Sequence, residues 1–310
     1  MSQYVTKIRT EAGDLPIDYN ALANHPTISN PNLLLNSDFR SPINQRCSTV
    51  YEGNSARVYT IDRWCHAATD FGRTIEVCDG HVRYTNPNET YQSFWLQQFE
   101  RALPEDDYTI TVAVKSVSGN NVCVGNLING ANGVEWGNLS CFNLRPGINT
   151  FTFHGGCAGL YFQASILSAA ELYWVKLEVG TTSTKFCPRM FQEELFLCRR
   201  YFDAMNGIRV IGAERDTNAK TISFAIPRTM QMRSIPKIST RGTTTENSTE
   251  GICVRNTECG LLTGFTFTYE VRNWELLVVA HYNTDLDREA HQAQLYIDDD
   301  FLICLDAEIY

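Results

Sequence analysis

No apolar run in this 310-residue chain approaches the length that crosses a bilayer, and Met1-Ser2-Gln3-Tyr4-Val5-Thr6-Lys7 lacks the apolar centre of a secretory signal. Membrane insertion is therefore not expected. The chain should be made in the cytosol and leave it only by another route, such as lysis of a host cell. Positive charge is also scarce: 26 Lys and Arg against 35 Asp and Glu give a net charge of −9. Nucleic-acid binding rests on cations that neutralise phosphates, so it is not expected either. Catalytic signatures are missing too. No H-E-x-x-H, G-x-S-x-G, Walker A or G-x-G-x-x-G string occurs, and the six histidines, at 25, 66, 81, 154, 281 and 291, never pair with a second ligand at helical spacing. The chain reads as a non-enzyme without cofactor or metal, and His281, inside an apolar strand, as a core or edge residue.

What is present is first of all cysteine. There are eleven, an odd number without C-x-x-C spacing, and neither Cys65-His66 nor Cys253…Cys259 has the ligand spacing of a zinc site. Most lie in apolar runs, as Cys123 does in Asn121-Val122-Cys123-Val124 and Cys304 in Leu302-Ile303-Cys304-Leu305. That setting predicts reduced, buried thiols acting as small hydrophobes. The acidic clusters Asp106-Asp107 and Asp298-Asp299-Asp300 fall between apolar segments and read as solvated turns. Calcium binding and a glycosidase carboxylate pair are the alternatives there.

The apolar pattern has mostly a period of two. Tyr108, Ile110, Val112 and Val114 alternate with Thr109, Thr111, Ala113 and Lys115, which predicts a half-buried strand after an acidic turn at Glu105-Asp106-Asp107. Phe151 and Phe153 repeat the pattern, and so do Leu160, Phe162, Ala164 and Ile166. Past Gly207, Phe265, Phe267, Tyr269 and Val271 do the same, followed by apolar runs at Glu275–His281 and Phe301–Leu305. Gly, Asn and Pro clusters separate these strands, and 241–250 reads as a long exposed loop. One segment differs. From Pro188 to Met205, Leu195, Cys198, Tyr201, Phe202 and Met205 recur at spacings of three and four, an amphipathic helix with Glu193 and Glu194 near its start, Arg199 and Arg200 nearer its end and Gly207 as its stop. The fold class is thus mainly β: two antiparallel β-sandwich, jelly-roll-like domains joined by one helix. The expected units are an extended segment over 1–31, a first sandwich over 32–187, the helix over 188–206 and a second sandwich over 207–310.

Sugar rings bind by stacking on exposed indole and phenol faces beside amide hydrogen bonds. Trp136 and Asn138 lie in the polar, loop-like Asn132-Gly133-Val134-Glu135-Trp136-Gly137-Asn138; Trp95 alternates with Gln97; Trp274 follows Asn273 at a turn. These four residues are the glycan-binding candidates. Ordinary packing is the alternative for each tryptophan. Trp64 reads as core, and Trp174 fits either face of its strand.

Several strings resemble the tail-fibre and head-fibre type appendage proteins of tailed bacteriophages. Thr6-Lys7-Ile8-Arg9-Thr10 and Ile17-Asp18-Tyr19-Asn20-Ala21-Leu22 are similar to their N-terminal attachment segments. Asn32-Leu33-Leu34-Leu35-Asn36, Ile43-Asn44-Gln45-Arg46 and Thr60-Ile61-Asp62-Arg63-Trp64 resemble the start of their carbohydrate-binding-module-like jelly roll, and Trp174–Gly180 its closing strand. Phe186-Cys187-Pro188-Arg189, the helix phrase from Glu193 to Phe202, and Phe224–Pro227 leading to Met232-Arg233-Ser234-Ile235-Pro236 follow in the same order. One departure is a cysteine where small residues are usual, as at Cys47. The resemblance implies a structural virion protein in a tail-fibre, head-fibre or collar position. It implies docking on other virion proteins through Ile8, Ile17, Tyr19 and Leu22, and host-surface glycan as a partner. It also implies a homotrimer, with Leu195, Cys198, Tyr201 and Phe202 expected at the seam. A glycan-cleaving depolymerase and a ligand-free decoration protein are the rival readings.

Overall fold

The computed structural model describes residues 7–10, 13–16, 29–53, 57–67, 72–130, 133–136, 141–211, 214–216, 218–228, 230–241, 252–256, 260–262, 264–272, 274–282, 293–299 and 301–308. The protein is mainly β, with several antiparallel sheets and, among the described residues, one α-helix. Its spine is the strand Ser93–Ser118, which pairs antiparallel with Gly147–Ala164 and with Ser168–Val179. Val122–Gly130 adds to one side of this unit and His81–Asn86 to the other. The register of Gly147–Ala164 shifts at Gly155, Cys157 and Gly159. Gly159 has φ +154°, and a Cβ there would meet the Gln97 carbonyl oxygen at 2.2 Å, so only glycine fits this crossing.

Expected and observed burial part company along the spine. Residues 108–114 are buried on both faces rather than one. The polar face is covered by the chain that follows Val179: Thr109 Oγ1 donates to the Gly180 carbonyl at 2.6 Å, and Thr111 Oγ1 and Ser183 Oγ lie 2.8 Å apart. Glu105-Asp106-Asp107 is not a turn but part of the continuous strand, with Asp107 opposite His154 and Asp106 opposite Gly155. A large aromatic cluster fills the interior. Trp64 and Trp95 lie 4.7 Å apart between ring centroids, Phe39 packs 5.1 Å and Phe162 5.7 Å from Trp95. Each such side chain taken from water contributes about 2–3 kcal/mol.

A second hydrophobic cluster occupies the C-terminal third, from Ile222 to Ala307. Thr221–Pro227 and Phe265–Arg272 flank Glu275–Tyr282; Ile208–Ile211 and Ile252–Asn256 flank Ala293–Ile297; Phe202–Met205 and Lys237–Arg241 flank Leu302–Asp306. Burial alternates along Glu275–Tyr282, with Leu276, Val278, Ala280 and Tyr282 inward.

The helix spans Phe191–Arg199, shorter than the expected 188–206. Tyr201 and Phe202 have left it, because Phe202–Met205 pairs as a strand with Leu302–Asp306, and sheet hydrogen bonds outweigh the helical spacing. Gly207, φ +60°, turns the chain between strands instead of stopping the helix. The cysteine expectation also needs correction: Cys123 and Cys141 form a disulfide, and Cys47 and Cys187 are exposed. Cys65, Cys157, Cys198, Cys253 and Cys304 are the buried free thiols expected.

Candidate functional site

The strings Asn32–Asn36, Ile43–Arg46, Thr60–Trp64 and Phe186–Arg189 converge. Asn36 clasps two of them, its Nδ2 donating to the Ile43 and Asp62 carbonyls at 2.8 Å each, while the Ile43 N–H donates to its Oδ1 at 2.7 Å. The Asn36 carbonyl accepts from Trp64 Nε1 at 2.9 Å, and its N–H donates to Glu194 of the helix at 2.6 Å. Arg189, just before the helix, donates to the Leu34 carbonyl at 3.0 Å and pairs with Glu194 at 3.1 Å. One end of the helix is thus tied to the first strings of the large sheet.

The other end of that set reaches the C-terminal strands. Arg46 donates to Asp62 at 3.0 Å and lies 3.6 Å from Glu308 and 3.9 Å from Asp306. Its guanidinium stacks 3.8 Å from the Phe202 ring centroid. Arg63 donates through its backbone N–H and Nη1 to Glu308, at 3.1 and 2.5 Å, and stacks 3.7 Å over Tyr201. Gln45 bridges Asp62 and the Phe202 carbonyl at 2.8 and 2.7 Å. Arg46, Asp62, Arg63 and Glu308 are all buried, at 5, 0, 2 and 3 % exposure. Burial drives the Asp62 carboxyl up to about 7 against the pull of Arg46 and Gln45. Burial pulls the Arg46 guanidinium down, but Asp62, Glu308 and Asp306 more than restore it.

Two carboxylates beside a raised pKa are also what a glycosidase needs. Here both are sealed and committed to arginines, and neither lines a described groove. The arrangement can tie the large sheet to the C-terminal strands, and it leaves these two carboxylates closed to a substrate. Backbone strain gathers at the same place. Asn36, Cys47 and Arg63 hold positive φ of 50°, 55° and 72°. Cys47 therefore sits where glycine would be unstrained. Among the described residues no group of three His, Cys, Asp or Glu side chains gathers to hold a metal ion.

The two glycan candidates whose side chains are described, Trp95 and Trp274, are not brought together. Trp95 is fully buried, its Nε1 donating to Thr60 Oγ1 at 3.0 Å, so it has no face for a sugar. This corrects the expectation, and the reason is that both faces of its strand are covered. Trp274 is 62 % exposed at the tip of a hairpin. Trp136 lies on the strand Gly133–Trp136, opposite Leu127, with its side chain outside the described residues; Asn138 lies wholly outside them. Trp64 is core as expected, and Trp174 is half-buried and stacks on Phe186 at 4.4 Å. Of the attachment residues, Ile8 lies on the hairpin strand Lys7–Thr10, while Ile17, Tyr19 and Leu22 lie outside the described residues.

Sequence reasoning missed a groove of about 370 Å³ beside the helix start, lined by Asn30, Asp38, Ser41, Phe186, Arg189 and Phe191 among others. Its signal was the Phe186–Arg189 phrase, noted in the sequence only as one of the ordered strings ahead of the helix. The helix leaves apolar surface open: Met190, Phe191 and Phe196 are exposed, Leu195 is half-buried and Cys198 is covered. No family model matches the chain, and no curated protein matches it.

Proposed function

We propose that this chain is a structural appendage subunit of a tailed-bacteriophage virion, in a tail-fibre, head-fibre or collar position, contributing to host-surface glycan binding. In this reading its sheets form two jelly-roll-like sandwiches with the helix at their junction. The observation that carries it is the buried cluster of Arg46, Asp62, Arg63 and Glu308. The strings that resemble appendage proteins spend their charged and strained residues on joining two cores, as a force-bearing part requires, and not on a reactive cleft. Residues 1–31 attach the subunit to the particle. The subunit is a homotrimer, and its seam is the open helix surface at Phe191, Leu195 and Phe196; Cys198, Tyr201 and Phe202 are already buried within one chain and drop out of it. Three copies would make weak sugar sites sufficient.

Purified particles probed with an antibody to the chain test the assignment, and absence from infectious particles overturns it. Incubation with host capsule tests the depolymerase rival: release of reducing ends would overturn the non-enzyme reading. A glycan array with the full chain tests the binding part, and a blank array would leave the ligand-free decoration protein.

A further inference from the structure

A second groove, of about 240 Å³, opens at one end of the C-terminal sheets. Arg228, Gln231, Arg233, Ser234, Val271 and Arg272 line it with Met232, Ile235 and Pro236, and no carboxylate does. Three arginines in one small groove are unusual in a chain of net charge −9. Arg228 is the informative one. It is only 8 % exposed, and among the described residues its Nε and Nη2 have no hydrogen-bond partner. The carboxylate that bears on it, Asp203, is held by Arg199 at 3.4 Å. Burial accordingly pulls the Arg228 guanidinium below its ordinary value in spite of Asp203. A buried guanidinium with idle donors is costly unless an anion completes it. The other two are partly engaged: Arg233 Nε donates to the Ala307 carbonyl at 3.1 Å, and Arg272 pairs with Glu275 at 3.1 Å and Glu270 at 3.4 Å.

At the edge of this groove the Arg228 N–H donates to the Trp274 carbonyl at 2.8 Å. Trp274 follows Arg272 at a tight turn, since Arg272 pairs with Glu275 across the hairpin, and its indole is open to solvent. The hairpin thus brings Val271 and Arg272 into the groove and carries an open indole at its border, outside the lining itself. An aromatic face and guanidinium donors on one such rim are the chemistry that recognises a ring carrying an anion.

We propose that this groove binds a carboxylate-bearing sugar residue, of the hexuronate or sialate class, in a surface polysaccharide. The carboxylate completes Arg228, the sugar's apolar face lies on Trp274, and Gln231 and Ser234 meet its hydroxyls. The proposal rests on the glycan-binding part of the function above and adds the ligand's charge and its site.

Calorimetric titration of the full chain with glucuronate, galacturonate and sialate oligosaccharides, each beside its methyl ester, tests it. At least one acid form should bind, with its ester about tenfold or more weaker, because the ester keeps the ring and removes the charge. Trp274→Ala, at an exposed hairpin tip, should weaken binding about tenfold, and Arg228→Gln should abolish the preference for acid over ester. Trp274→Ala guards against an Arg228→Gln variant that fails to fold. Equal binding of acid and ester, no binding of any acid form, or unchanged binding by Trp274→Ala would each overturn the proposal. Inorganic phosphate binding as tightly as the oligosaccharide would reduce the site to an anion pocket and overturn the sugar assignment. A chain found in particles that binds only neutral glycans sinks this inference and leaves the appendage reading standing.

Discussion

A buried arginine–carboxylate pair contributes little net stability when intact, because desolvation offsets attraction, but losing one partner strands a charge in the interior. Glu308 serves both Arg63 and Arg46, so Glu308→Ala should cost about 3–5 kcal/mol in chemical denaturation. A loss below about 1 kcal/mol would mean that water reaches the cluster. Two neighbouring groups should give the protein a readable pH dependence. His66 is fully buried, and burial with the nearby Arg73 drives its imidazole down to about 3. Unfolded, it protonates near 6.5, so it favours the folded state above that pH and withdraws stability as pH falls towards 3. Asp62 acts oppositely. With its folded carboxyl near 7 and an unfolded value near 4, it favours folding at low pH and loses that contribution as pH rises to 7. Between about pH 4 and 6.5 the two slopes oppose. Asp62→Asn should steepen the loss of stability on acidification by up to about 1.4 kcal/mol per pH unit, and His66→Gln should reverse its sign. Parallel profiles for both variants and the parent would refute this pairing.

Among the elements, the helix shows what sequence spacing can and cannot carry. Leu195 and Cys198 reveal that a helix is there; nothing local reveals that Phe202 leaves it to pair with Asp306. The open helix surface makes a direct test of self-association. Phe191→Ser with Phe196→Ser removes two exposed rings while leaving helix propensity nearly unchanged, since Ser and Phe rank alike. Sedimentation should show a trimer in the parent and a monomer in the variant, and a parent that sediments as a monomer would end the seam proposal. Strands were legible by period, and their burial was not. Alternation marks a strand that has one wet face, but the polar face of the stretch 108–114 is covered by chain 71 and 72 residues away, which no local pattern records. The same blindness misassigned Trp95. It also hid the disulfide, since Cys123 and Cys141 become neighbours only once Phe142–Asn143 pairs with Val122–Gly130.

At the scale of the molecule, two hydrophobic clusters are joined by contacts of very long sequence separation, such as Arg63 to Glu308, 245 residues apart. Around that pair, the Ala307 N–H donates to the Tyr201 carbonyl at 2.7 Å, and Arg241 donates to the Arg46 carbonyl at 3.0 Å. Opening this junction would break these hydrogen bonds and expose the buried rings of Tyr201 and Phe202, on which Arg63 and Arg46 stack, at a cost of several kcal/mol. A coupling of that size is a large share of the roughly 5–15 kcal/mol that keeps a whole domain folded. Neither core should therefore melt alone. Calorimetry of the parent chain should give one transition whose calorimetric and van't Hoff enthalpies agree. Removing both members of the pair, as Arg63→Ala with Glu308→Ala, leaves each core's own apolar packing in place and takes away the link between them. The expected result is two resolved transitions, the less stable one moved down. Two transitions already present in the parent, or a single one surviving in the double variant, would show that the cluster is a local feature and that the cores are coupled, if at all, by other contacts.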